Sequence, residues 1–145
     1  MDLIYREPFR VRFYEAEPNG RAAVTAICRY LQEAADCHCR SLGLSLSELR
    51  EVGRMWVIVR LALQLFEFPR VGDSVMVETW PTNRMDGFRA YRDFRLRSGG
   101  GTLLGEAASL VTAARPRSFR AATKAVPMHK ERRLRRRRAA RSSWD

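Results

Sequence analysis

Residues 19–43 read NGRAAVTAICRYLQEAADCHCRSLG, and this stretch decides the fold. Val24, Ile27, Leu31, Ala34, Ala35, His38 and Leu42 recur at spacings of three and four, which places them on one face of an α-helix. Asn19-Gly20 is the predicted start and Gly43 the stop. The expected helix is rich in alanine and roughly six turns long at 3.6 residues per turn. Nearly everything else, up to about residue 120, reads as strand. One long helix with an apolar stripe, plus several strands, predicts an α+β domain in which a sheet wraps around a helix.

On the N-terminal side of the helix, Tyr5–Glu15 alternates: Phe9, Val11 and Phe13 against Arg10, Arg12 and Tyr14. A half-buried strand is expected there, after a start broken by Pro8. The loop Glu15–Gly20 then brings two carboxylates and a carboxamide to the start of the helix. Beyond Gly43, Ser45-Leu46-Ser47-Glu48 has the form of a capping box that opens a short helix to about Val52. Strands follow at Met55–Phe68, Ser74–Trp80, Phe88–Arg97 and Thr102–Ala114, separated by turns at Pro69–Asp73 and Ser98–Gly101 and a loop at Pro81–Gly87. Arg92 interrupts the apolar set Phe88, Ala90, Phe94 and Leu96, which leaves the register of that strand open. Short connections between successive strands predict an antiparallel sheet.

A length of 145 residues predicts one domain with one sizeable core. The hydrophobic fraction of 46% is that of an ordinary globule, and no apolar run is long enough for a transmembrane helix. The N-terminus lacks the apolar core of a signal peptide, so the expected location is cytoplasmic. Cys28, Cys37 and Cys39 are too few and too close for a disulfide framework. Cys37 and Cys39 point about 200° apart on a helix and cannot share an ion, so no metal or redox cofactor is expected. Residues 129–145 hold eight Lys/Arg against two acidic residues, +6 of the chain's +11, which divides it into a globular part at 1–127 and a disordered basic tail at 128–145.

The order of several short stretches resembles a known family. Phe13-Tyr14-Glu15 leads to Arg21-Ala22, Leu31-Gln32-Glu33-Ala34-Ala35, His38 and Gly43. Then come Trp56-Val57-Ile58-Val59-Arg60, Pro69, Gly72-Asp73-Ser74-Val75, Glu78-Thr79-Trp80, Arg92-Asp93-Phe94 and Ala107-Ala108-Ser109. Together they resemble the hotdog fold, and within it the first hotdog unit of plant and bacterial acyl-ACP thioesterases. The resemblance covers roughly residues 5–127 by the spacing of these stretches. It implies hydrolysis of a fatty acyl thioester of acyl carrier protein (ACP) or CoA. Members of that family usually carry two hotdog units, with the catalytic residues in the second, in a pattern like Asp-x-Asn-x-His-x-Asn. This sequence has no such pattern, and its two histidines, His38 and His129, stand apart. Glu15-Ala16-Glu17-Pro18-Asn19-Gly20 is also similar to the Asp-x-Asp-Pro-x-Gly loop of 4-hydroxybenzoyl-CoA thioesterases, where the second carboxylate is catalytic; Glu17 takes that place.

Thioester hydrolysis needs donors for a developing oxyanion and a carboxylate that activates water or attacks the carbonyl. The amides around Arg21, Ala22 and Ala23, at the expected helix N-terminus, are the candidate donors, and Glu17 just before them is the candidate carboxylate. The alternative for Glu17 is plain complementation of the helix dipole. Asn19 either orients water or caps the helix. Glu33 lies about 240° round the helix from Ile27, either as a helix carboxylate acting across a dimer interface or paired with Arg29 on a solvated face. His38 and Trp56 either line the substrate pocket or sit in the core. A lone hotdog leaves a sheet edge that a partner copy would close, so a homodimer or homotetramer is expected. The rival reading is a non-catalytic module that binds acyl chains or ACP. A third, nucleic-acid binding through the tail, lacks interleaved aromatics other than Trp144.

Overall fold

The long helix forms, but it starts later than its sequence suggests. In the computed structural model, which describes residues 4–44, 46–86 and 89–115, helix α1 spans Val24–Ser41. Asn19-Gly20 belongs instead to a tight hairpin. The Gly20 amide donates to the Glu17 carbonyl at 2.8 Å, the Glu17 amide to the Arg21 carbonyl at 2.8 Å, and Ala16 pairs with Ala22. Gly20 takes φ +82°, and the Arg21 amide donates to Asn19 Oδ1 at 3.0 Å. Asn-Gly is as strong a hairpin signal as it is a helix-start signal, and here the hairpin forms. At the other end Gly43 closes the helix with φ +72°.

The buried face of α1 is Ala26, Ile27, Tyr30, Leu31, Ala34 and His38. Tyr30 therefore joins the expected stripe, while Val24 (49% exposed) and Leu42 (55%) leave it. The short helix α2 covers Leu46–Glu51, close to the expected span; Ser45 of the expected capping box lies outside the described residues.

Five strands form one antiparallel sheet: β1 (Tyr5–Arg10), β2 (Met55–Leu65), β3 (Ser74–Asp86), β4 (Arg89–Ser98) and β5 (Leu103–Ala114), in the order β1-β3-β4-β5-β2. Chain adjacency holds for β3-β4-β5 but not for β2, which pairs with β5 rather than with its neighbour β3. β1 ends at Arg10, earlier than expected, and Phe13–Glu15 forms a 3-10 turn. Phe13 is consequently 79% exposed, although Val11 is buried as predicted. β3 runs on to Asp86, through residues 81–86 of the expected loop; Gly87 lies outside the described residues. Pro81 pairs with Arg92 as the last residue before a break in register between Pro81 and Met85.

The core lies between α1 and one face of the sheet. Ile27 and Leu31 are fully buried against Val75 and Val77 of β3 and Phe94 and Leu96 of β4. Each such aliphatic side chain contributes about 1.5–3 kcal/mol by leaving water. The register of β4 is thereby settled: Phe94 and Leu96 face the helix, and so does Arg92. Ala107 and Ser109, small residues of β5, are buried on this face. The basic tail lies outside the described residues. Among those described, no helix is long and apolar enough to cross a membrane.

Candidate functional site

The second half of α1 does not lie flat on the sheet. Leu31, Gln32, Ala35, Asp36 and Cys39 form one wall of a groove of about 240 Å³. Trp56, Ile58 and Leu61 of β2, Ala90, Tyr91, Arg92 and Phe94 of β4, and Ser109 and Val111 of β5 form the other, with Pro81 of β3. Small side chains, Ala35, Ala90 and Ser109, leave the space, and the walls are mostly apolar. The Nε1–H of Trp56 is buried and has no acceptor among the described residues. A larger hollow of about 690 Å³ lies on the opposite face of the sheet, lined by Trp80, Asp93, Arg95, Arg97 and Glu106. The Arg95 guanidinium stacks over the Trp80 ring there, 4.5 Å from its centre. Its charged residues suit a solvated surface, and the groove beside α1 is the more apolar of the two despite its smaller volume.

One polar cluster stands at the groove. Arg92 Nη1 contacts His38 Nδ1 at 2.9 Å and donates to Thr79 Oγ1 at 3.1 Å, and Nη2 reaches Cys39 Sγ at 3.9 Å. A guanidinium only donates, so Nδ1 of His38 must be the acceptor and its hydrogen sits on Nε2. Burial, and then the neighbouring cation of Arg92, hold the His38 pKa below its ordinary value and keep the ring neutral. The ring also stacks on Tyr5, with centres 5.3 Å apart. Burial raises the Cys39 thiol, which outweighs the pull of Arg92. His38 is thus a buried, hydrogen-bonded histidine that braces Arg92, and Arg92 is the residue that meets the groove.

Most of the sites expected from sequence lie elsewhere. Glu17 and Asn19 are exposed on the hairpin. The amides expected as oxyanion donors are occupied: Arg21 by Asn19 Oδ1 at 3.0 Å, Ala22 by the Pro69 carbonyl at 2.8 Å and Ala23 by the Glu15 carbonyl at 2.9 Å. The open donors at the helix start are Val24 and Thr25, which have no acceptor among the described residues. The groove wall begins at Leu31, about 10 Å further along the axis at 1.5 Å per residue. Glu33 lies on the outer face of α1, where Arg40 at 3.4 Å, and not Arg29, is its ionic partner. Glu33 Oε1 also lies 3.5 Å from the Cys37 thiol. Within one copy of the chain the hairpin, Glu33 and the groove are therefore separate; of the expected residues, only Trp56 lines the groove.

Arg92, Asp36 and Gln32 are the groove residues that the sequence reading missed. The signal for Arg92 was present: a charge in an otherwise apolar alternation marks an inward-facing position. Asp36 carried no such signal, being one of several polar residues on α1. It is paired with Arg40 at 3.0 Å.

A five-stranded antiparallel sheet curled over one long helix, with an apolar groove between them, defines this protein as a hotdog domain. More particularly, the chain belongs to the acyl-ACP thioesterase family: residues 2–113 match the acyl-ACP thioesterase N-terminal domain. The chloroplastic oleoyl-acyl carrier protein thioesterase 1 of Arabidopsis thaliana is 36% identical over 84 residues, 54% of this chain and 23% of that one. The chloroplastic dodecanoyl-ACP hydrolase of Umbellularia californica is 31% identical over 102 residues, 66% of this chain and 26% of its own. Among solved structures, an acyl-ACP thioesterase from Bacteroides thetaiotaomicron superposes with a TM-score of 0.74 at 25% identity, covering 79% of this chain and 46% of that one. A 1,4-dihydroxy-2-naphthoyl-CoA thioesterase from Synechocystis shares the fold, with a TM-score of 0.71 at 18% identity over 78% of this chain and 83% of its own. The chain thus spans about a quarter of the curated relatives' length and under half of the solved acyl-ACP thioesterase.

Proposed function

We propose that this chain acts on fatty acyl thioesters of acyl carrier protein or CoA, holding the acyl chain in the groove between α1 and the sheet and hydrolysing the thioester. The observation that carries this reading is the apolar groove, in a chain of this family. The carboxylates put forward for activating water are Glu17 and Glu33, with Asn19 orienting it. The oxyanion donors move from Arg21–Ala23 to the open Val24 and Thr25 amides at the positive end of the helix dipole. A second copy of the chain beside the exposed edge of β2, where Val59 is 59% exposed, would extend the sheet and bring a further set of carboxylates to each groove. A cytoplasmic location accords with this reading.

A second reading is a non-catalytic acyl- or ACP-binding module. It is favoured by the distance of Glu17 and Glu33 from the groove within one copy. Release of free thiol from acyl-ACP and acyl-CoA separates the two. Turnover by the purified protein that is lost in Glu17→Gln or Glu33→Gln supports the enzyme and identifies its carboxylate. Acyl-ACP binding without turnover leaves the module. Turnover that survives both changes refutes these two carboxylates while keeping the activity.

A further inference from the structure

The guanidinium of Arg92 has five N–H groups. Two on Nη1 serve His38 and Thr79, and one on Nη2 serves the weak acceptor Cys39 Sγ. Nε–H and the second N–H of Nη2 have no acceptor among the described residues. Nε and Nη2 form one edge of the planar fork, which grips a carboxylate through two parallel hydrogen bonds. Among the described residues, nothing that touches Arg92 carries a negative charge. His38 is neutral by its hydrogen bonding and Thr79 is an alcohol. Asp36, the carboxylate in the groove wall, is engaged by Arg40. Asp93 alternates onto the other face of the sheet.

A cation drawn partly out of water without a counter-charge is unfavourable, and a ligand that brings an oxyanion removes the imbalance. Leu31, Leu61, Phe94 and Val111 make the larger part of the surrounding wall apolar, which suits an aliphatic chain. The ligand that satisfies both is an aliphatic chain ending in a carboxylate. We propose that Arg92 is the carboxylate-recognition residue of the groove, and that the groove holds a free fatty acid with its chain between α1 and the sheet and its head on Arg92 Nε and Nη2. This inference rests on reading the groove as an acyl site and is independent of whether the chain hydrolyses thioesters.

The test is calorimetric titration of the purified full chain with decanoate and with 1-decanol, at one pH near 8 and below micelle formation. Wild type is expected to bind decanoate at least tenfold more tightly than decanol. Arg92→Gln is expected to lose the preference, binding decanoate no more tightly than it binds decanol, with Arg92→Lys between the two. Equal affinity of wild type for acid and alcohol, or an acid preference that survives in Arg92→Gln, would overturn the role of Arg92 while leaving the groove. Binding of neither ligand would overturn the groove itself, and the inference with it. The comparison of acid with alcohol in the wild type is decisive even where Arg92→Gln fails to fold.

Discussion

At the residue scale, two positions carry consequences that can be measured. His38 is neutral in the folded protein with a pKa below the ordinary 6.5. The unfolded chain therefore takes up the proton first as pH falls. The stability due to neutral His38 is full above about 6.5 and is lost as pH falls through that value toward the lower folded-state pKa. Thermal unfolding should show a larger drop in Tm from pH 7.5 to 5.5 in wild type than in His38→Gln, which keeps an acceptor for Arg92 but does not titrate. Glu78 acts in a lower window. Burial alone would raise its pKa, but hydrogen bonds and charges from Arg97 and Arg6 outweigh this and lower it, so its contribution is lost only below the ordinary 4.5. The other position is Gly105 of β5. A Cβ there would lie 2.6 Å from the Gln64 carbonyl oxygen of β2, a backbone atom that cannot step aside. Gly105→Ala should cost about 1–3 kcal/mol in chemical unfolding, as an overpacked contact does.

At the scale of elements, α1 is both the core and the wall of the groove. Its first half fills the space under β3 and β4 with Ile27 and Leu31, while its second half lines the cavity. Ile27→Ala should destabilise by about 2–5 kcal/mol, because the cavity opens in the fully buried contact between α1 and the sheet. Ala35→Leu, on the groove side, should instead leave stability within about 1.5 kcal/mol while weakening acyl binding, since the added side chain enters space that is empty rather than packed. The hairpin at Glu17–Gly20 is set by Gly20 at φ +82°, and by Arg70, whose Nη2 donates to the Asn19 carbonyl at 2.9 Å. That contact joins the hairpin to the turn before β3, so the catalytic proposal for Glu17 depends on a surface that two distant segments build together.

At the scale of the whole molecule, the groove sets a length for its ligand. Each methylene that enters an apolar wall should add ~0.8 kcal/mol, about fourfold in affinity, until the cavity is full. Titration with octanoate, decanoate, dodecanoate and longer acids should rise at that slope and then level; a flat series from the start would mean that the chain does not enter. The exposed edge of β2 predicts self-association. Sedimentation should then give a mass that is a multiple of 16.7 kDa. A monomer at micromolar concentration would remove the second copy from the mechanism.

The long helix, its stop at Gly43, the five strands and the hotdog architecture were legible in the sequence, because apolar periodicity and glycine positions are local properties that the chain states residue by residue. The family was legible for a related reason: its short stretches keep their order along the chain. What the tertiary structure alone decided was longer in range. Asn19-Gly20 suits a helix start or a hairpin, and only the pairing of Ala16 with Ala22 and the contact with Arg70 choose between them. β2 pairs with β5, beyond the reach of chain adjacency, and that pairing creates the wall of the groove. Arg92 was visible as an exception in an alternating strand. Its neutral neighbours and open edge belong to residues 38, 39 and 79, brought to it by folding. A sequence states which side of an element is apolar; which elements meet, and which donors remain unsatisfied when they do, is a property of packing.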